Sequence, residues 1–158
     1  MNLEDVLKYG HQTVMNSISG LDESECTVGG VCGVWSVRDI IAHLASHELV
    51  MIDVFNSLLN TEPRPNLDNF LAQGYAFNDI EVDKRKAMSY AEIVSEYAQA
   101  STQAQALAPK IPLVKRRQVG AIPWYGSEYD LEDLVAYSNY GHKREHCAQI
   151  AVYRDTLK

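Results

Sequence analysis

Residues Trp35-Ser36-Val37-Arg38-Asp39-Ile40-Ile41-Ala42-His43-Leu44-Ala45-Ser46-His47 decide how the chain is read. Ser36 has the side chain of a helix N-cap, and Asp39 stands at the third helical position, from which a carboxylate reaches back to the cap backbone. Beyond them Val37, Ile40, Ile41, Leu44, Met51, Phe55 and Leu58 recur at helical spacing over about six turns. The stretch predicts an amphipathic helix from Val37 to about Leu58 with one face in a core.

The flanking sequence breaks at glycines and prolines into three further helical patterns. On the N-terminal side Leu3, Leu7, Val14, Ile18 and Leu21 form one stripe of a helix from Leu3 to about Ser19, stopped by Gly20. A Gly-rich turn with Cys26 and Cys32 leads into the central helix. On the C-terminal side a connector runs from Asn60 to Met88, in which Leu67, Phe70 and Leu71 suit a turn or two of helix. Ser89-x-x-Glu92 is a capping-box signature opening a third helix, with Tyr90, Ile93, Tyr97, Ser101, Ala104 and Leu107 on one face and Pro109 at its end. Residues 109–129 form a long connection carrying the basic cluster Lys115-Arg116-Arg117, which reads first as a solvated loop. Asp130 with Asp133 caps a fourth helix, Leu131 to about Thr156. No segment reads as a strand, because the apolar runs near Val28 and Ile111 are broken by Gly and Pro. The expectation is an all-α four-helix bundle spanning residues 1–158 as one domain.

Composition removes several function classes. The 158 residues are 46% hydrophobic, enough for one sizeable core, and 14 basic against 21 acidic residues leave a net charge of −7. That sign opposes binding to phosphate backbones, so nucleic acid is not an expected partner. The first 25 residues lack an uninterrupted apolar run and carry mostly acidic charge, which fits neither a secretion signal nor a membrane span. A soluble, cytoplasmic protein is expected. Cys26, Cys32 and Cys147 match neither zinc-knuckle nor C-x-x-C spacing and are read as reduced thiols. G-x-S-x-G, G-x-G-x-x-G and Walker patterns are all missing.

The histidines carry the chemical signal. On an ideal helix at about 100° per residue, Leu131, Val135, His142, His146, Gln149 and Tyr153 lie within roughly 40° of one line. His142 and His146 are therefore an i, i+4 pair on the core stripe, an arrangement that brings two nitrogens to one divalent ion. The central helix offers His43 and His47 at the same spacing, and facing helices are where bundles assemble metal sites. Periodicity favours His47, nearer the centre of the Ile40, Leu44, Met51, Phe55 stripe, over His43 at its edge. His11 lies close to the Leu7, Val14, Ile18 line and is a further ligand or supporting donor in the same reading. Glu48, Asn78, Glu145 and Gln149 are the polar groups placed to support such ligands, each also readable as an ordinary bundle polar.

The segment from Trp35 to Leu44, a Trp-Ser start followed by histidine and leucine, closely resembles the second-helix motif of the DinB-like superfamily. The His142-x-x-x-His146 pair resembles that family's last helix, and helix order agrees over nearly the whole chain. The superfamily includes mycothiol-dependent maleylpyruvate isomerases and bacillithiol S-transferases, and a branch similar to colibactin self-resistance proteins that lacks the metal triad. The resemblance implies a divalent metal on His43, His142 and His146, thereby preferring His43 to His47. Three neutral nitrogens suit zinc or nickel before magnesium.

What the resemblance implies about activity is a metal-dependent thiol transferase that takes a small cellular thiol and an electrophile; Trp124 and Tyr125 of the long connection are read as lining the mouth of the site or as ordinary packing aromatics. The alternative is a non-catalytic metal-binding or stress-response module. Cys147, next to His146 but about 100° around the helix, and the loop cysteines are poorly placed to serve as nucleophile. Tyr137 and Tyr140, away from the histidine stripe, suggest a homodimer face.

Overall fold

The computed structural model describes residues 1–158 and is entirely helical apart from turns and one isolated bridge between Cys32 and Trp35. The helices are α1 (Leu3–Ile18), α2 (Glu23–Cys26), α3 (Val37–Leu58), α4 (Pro65–Gln73), α5 (Phe77–Lys84), α6 (Tyr90–Leu107), α7 (Leu113–Arg116), α8 (Leu131–Asp133) and α9 (His142–Asp155). A π-helical segment, Leu134–Gly141, joins α8 to α9 into one continuous C-terminal helix. No helix is long and apolar enough to cross a membrane.

The caps form where the local chemistry puts them. Ser36 accepts from the Asp39 backbone N–H at 3.2 Å while the Asp39 carboxylate accepts from the Ser36 N–H at 3.0 Å. Ser89 with Glu92, and Asp130 with Asp133, close the same reciprocal box. Such a cap contributes about 1 kcal/mol to its helix.

Helix α3 is the organiser. It packs along α6 and also meets α4, α5 and α9, while α1 lies against the C-terminal helix and α6. Its two ends belong to different apolar clusters: Val50, Val54 and Phe55 pack with Leu3, Leu7, Phe77 and Leu131, and Ile40, Ile41 and Leu44 pack with Val14, Ile93, Tyr97 and Ile150. Side chains on α3 also hold the connector. Arg38 donates to the carbonyls of Arg85 and Met88 at 2.7 and 2.6 Å, closing the end of α5. Asp53 accepts from the N–H groups of Asn66 and Leu67 at 2.6 and 3.0 Å, capping α4 behind Pro65.

Three expectations need correction. The connector between Asn60 and Met88 is two helices, not a turn or two, because its caps come from α3 and are invisible locally. Cys26 lies at the end of helix α2 and is buried, not in an open loop. The fourth helix is not uniformly α: the π-helical turn holds one surplus residue, so positions after it are rotated by about 100° from where an ideal helix places them. Its buried line consequently runs Leu131, Val135, Asn139, Lys143, His146, Ile150, so that His146 keeps its expected place while His142 is half-buried at the edge and Gln149 and Tyr153 are partly exposed.

The basic cluster is structural. Lys115 donates to the Leu58 carbonyl at 2.8 Å, Arg116 donates to the carbonyls of Ile111 and Ala108 and pairs with Glu4, and Arg117 pairs with Glu132.

Candidate metal centre

Helix α3 supplies His43 and α9 supplies His142 and His146, and their three rings meet edge to face with centroids 4.7–5.0 Å apart. The Nε2 atoms converge: His142 Nε2 lies 2.8 Å from His43 Nε2 and 3.0 Å from His146 Nε2. This is the group of side chains in the molecule that can hold a metal ion.

Hydrogen bonding alone does not satisfy it. Gln149 Oε1 accepts from His146 Nδ1–H at 2.8 Å, which leaves His146 Nε2 as a lone pair. His142 Nε2 has at most one proton, yet it faces two neighbouring nitrogens. A cation in place of that single proton engages all three lone pairs at once. Tetrahedral zinc, with N–Zn of about 2.0–2.1 Å, separates its nitrogens by about 3.3 Å, so the two short pairs at His142 open by a few tenths of an ångström, within a group whose ligand atoms all lie within 4.8 Å of one another. The donor set fits a divalent ion.

Electrostatics agree with the geometry. Burial, followed by the neighbouring imidazoles, pushes the pKa of His43 far below the ordinary histidine value and that of His142 down to about 3. Burial also lowers His146, against an opposing bond from Gln149. All three are neutral near pH 7, the form that ligates metal. Trp35 packs on the His43 ring with centroids 4.9 Å apart, and His43 Nδ1 is buried without a partner.

His47 packs against the group, its ring 4.5 Å from that of His43 and 4.9 Å from that of His142, but the side chains whose ligand atoms converge are His43, His142 and His146. The Nε2–H of His47 donates to Asn78 Oδ1 on α5 at 3.0 Å, and its ring sits edge-on to Phe70 and Phe77. The periodicity preference for His47 fails because a connector helix, absent from a one-face pattern, claims that imidazole. His11 stacks on Tyr97 at 5.6 Å and also lies outside the cluster.

Of the supporting polars, Gln149 alone bonds a histidine of the group. Asn78 serves His47, and Glu145 is exposed. Glu48 is buried in an ion pair with Lys143 at 2.8 Å, and Asn139 bridges the two, donating to Glu48 at 2.6 Å and accepting from Lys143 at 3.0 Å. Lys143 and Asn139 were not anticipated from sequence, although the four-residue steps Leu131, Val135, Asn139, Lys143 carry the signal.

Beside the histidines a cleft of about 660 Å³ is lined by His47, His142, Phe70, Trp124, Tyr125 and apolar side chains of α3, which places both expected aromatics at the site. All three cysteines are free and outside the metal group, and burial raises the thiol pKa of Cys26 and Cys147.

No family model matches the chain, and no curated protein or solved structure matches it either. Fold and site define an all-helical chain with a three-histidine group able to hold a divalent metal.

Proposed function

We propose that the chain is a metal-dependent enzyme of the DinB-like kind, its four long helices forming that family's bundle, with zinc or nickel on His43, His142 and His146. The observation that carries this reading is the convergence of three imidazole Nε2 atoms beside an open cleft. The activity proposed is S-transfer: a small cellular thiol joined to an electrophile. A divalent ion bound there supplies Lewis acidity that favours the thiolate over the thiol. The chain's own residues hold the nitrogens neutral, fix the His146 tautomer through Gln149 and shield one side of the site with aromatic rings. Its thiols are given no part, since none belongs to the histidine group and burial raises Cys26 and Cys147 away from the nucleophilic form.

Elemental analysis of untagged protein tests the metal. About one equivalent of divalent ion is expected, lost in His43→Ala, His142→Ala and His146→Ala and retained in His47→Ala. Loss in His47→Ala with retention in His43→Ala defeats the assignment. Thiol consumption across a panel of electrophiles tests the reaction: turnover is expected to survive replacement of all three cysteines by serine and to vanish in His146→Ala. A cytoplasmic homodimer is part of the same proposal, supported by Tyr137, which is 68% exposed on the C-terminal helix. A light-scattering mass of one chain removes it.

A further inference from the structure

The cleft beside the histidines differs from them in character. Its walls include Val50, Met51, Val54 and Leu134 together with Phe70, Trp124 and Tyr125, and no Lys, Arg, Asp or Glu side chain lines it. Its aromatic wall is already assembled. Phe70 sits edge-on to Phe77 at 5.2 Å and to Trp124 at 5.6 Å, and Trp124 contacts Tyr125 at 6.1 Å.

The polar groups in the lining are uncharged side chains, and two of them are committed elsewhere. Asn139 spends its amide on Glu48 and Lys143, and His47 Nε2 is held by Asn78. Ser138 lies exposed at the edge, and the hydroxyls of Tyr75 and Tyr125 complete the uncharged polar lining. In the metal-free protein an anionic ligand loses its hydration on entering and meets no side chain of opposite charge, which is costly. A flat apolar ligand meets preformed ring faces and edges, which favour stacked and edge-to-face contacts. The volume lies within the range of about 300–1,000 Å³ usual for small-molecule sites.

We propose that this cleft binds an uncharged aromatic molecule and rejects its anionic isosteres, so that, on the reading of the site as a metal-dependent transferase, it takes the electrophile and not the charged thiol. The Trp124 and Phe70 rings form its wall, and His142 connects it to the metal group.

Isothermal titration calorimetry with 2-naphthol and 2-naphthoate on the full chain, as purified and again after chelation, tests the proposal. The neutral ligand is expected to bind at one site at least tenfold more tightly than the anion in the chelated protein. Ser138→Trp, at an exposed position on the rim, is expected to weaken naphthol at least tenfold while melting temperature and metal content stay unchanged. Equal or tighter binding of naphthoate, no naphthol binding, or unchanged affinity in folded Ser138→Trp overturns it; the comparison of the two ligands on the unaltered chain stands without the variant. Naphthol binding by protein that carries no metal as purified and takes up none when zinc or nickel is added defeats the metal reading alone. Metal binding without naphthol binding defeats the cleft alone.

Discussion

An imidazole binds a metal only through a lone pair, and in this molecule burial keeps that lone pair free of protons. The energetic consequence for the folded chain follows from linkage. The ordinary histidine pKa is 6.5 and His142 lies at about 3 when folded, so below pH 6.5 the unfolded chain takes up a proton that the folded chain refuses. The stability held by the neutral ring is complete above pH 6.5 and is lost as pH falls towards 3, at about 1.4 kcal/mol per pH unit for each such histidine. Denaturant unfolding of chelated protein is therefore expected to show lower stability at pH 5.0 than at pH 7.5, with a smaller difference in His142→Gln. Gln149 acts at the same scale by a different route. With its carbonyl removed in Gln149→Ala, His146 is free to choose either tautomer and to turn, and metal affinity measured against a competing chelator is expected to fall about 10–100-fold.

Among the elements, the C-terminal helix has the most unusual construction. A regular α-helix from Leu131 to Ile150 carries those two side chains about 100° apart, whereas both are fully buried. The surplus residue of the π-helical turn restores the phase and leaves His142 at the rim of the cleft. Deleting Tyr137, an exposed member of that turn, is expected to yield a regular helix with the same faces inward, metal content unchanged and Tm lowered by no more than about 5 °C. Deleting exposed Arg144 breaks the four-residue spacing of His142 and His146 and is expected to abolish metal binding; elemental analysis and thermal melts of the two deletions separate the cases. The same helix shows where reading the sequence succeeds and fails. The caps at Ser36, Ser89 and Asp130 are legible because donor and acceptor lie three residues apart. The imidazole pair is legible because four residues make a turn. The π-helical turn is not, since an angular reading assumes a constant step, and α4 is not, since its cap is Asp53 on another helix. The choice of His43 over His47 likewise depends on Asn78, 31 residues away.

For the whole molecule, a buried charge pair joins α3 to the C-terminal helix. Glu48 and Lys143 are each about 1% exposed, and the Lys143 stem passes within 3.3 Å of where a side chain on Gly10 of α1 begins, so three helices meet around one ammonium. Removing one charge strands the other: Lys143→Met is expected to cost about 3–5 kcal/mol, while the double change Glu48→Leu with Lys143→Met recovers most of it. Chemical denaturation of the single and double variants measures the difference. The chain has only two tryptophans, one beside the three-histidine group and one in the wall of the cleft. Trp35 covers His43, and Trp124 forms part of the cleft wall. The protein thus contains its own pair of fluorophores, so that Trp124→Phe leaves an emission sensitive to quenching by a paramagnetic ion such as nickel, and Trp35→Phe leaves one that follows cleft occupancy without any attached dye.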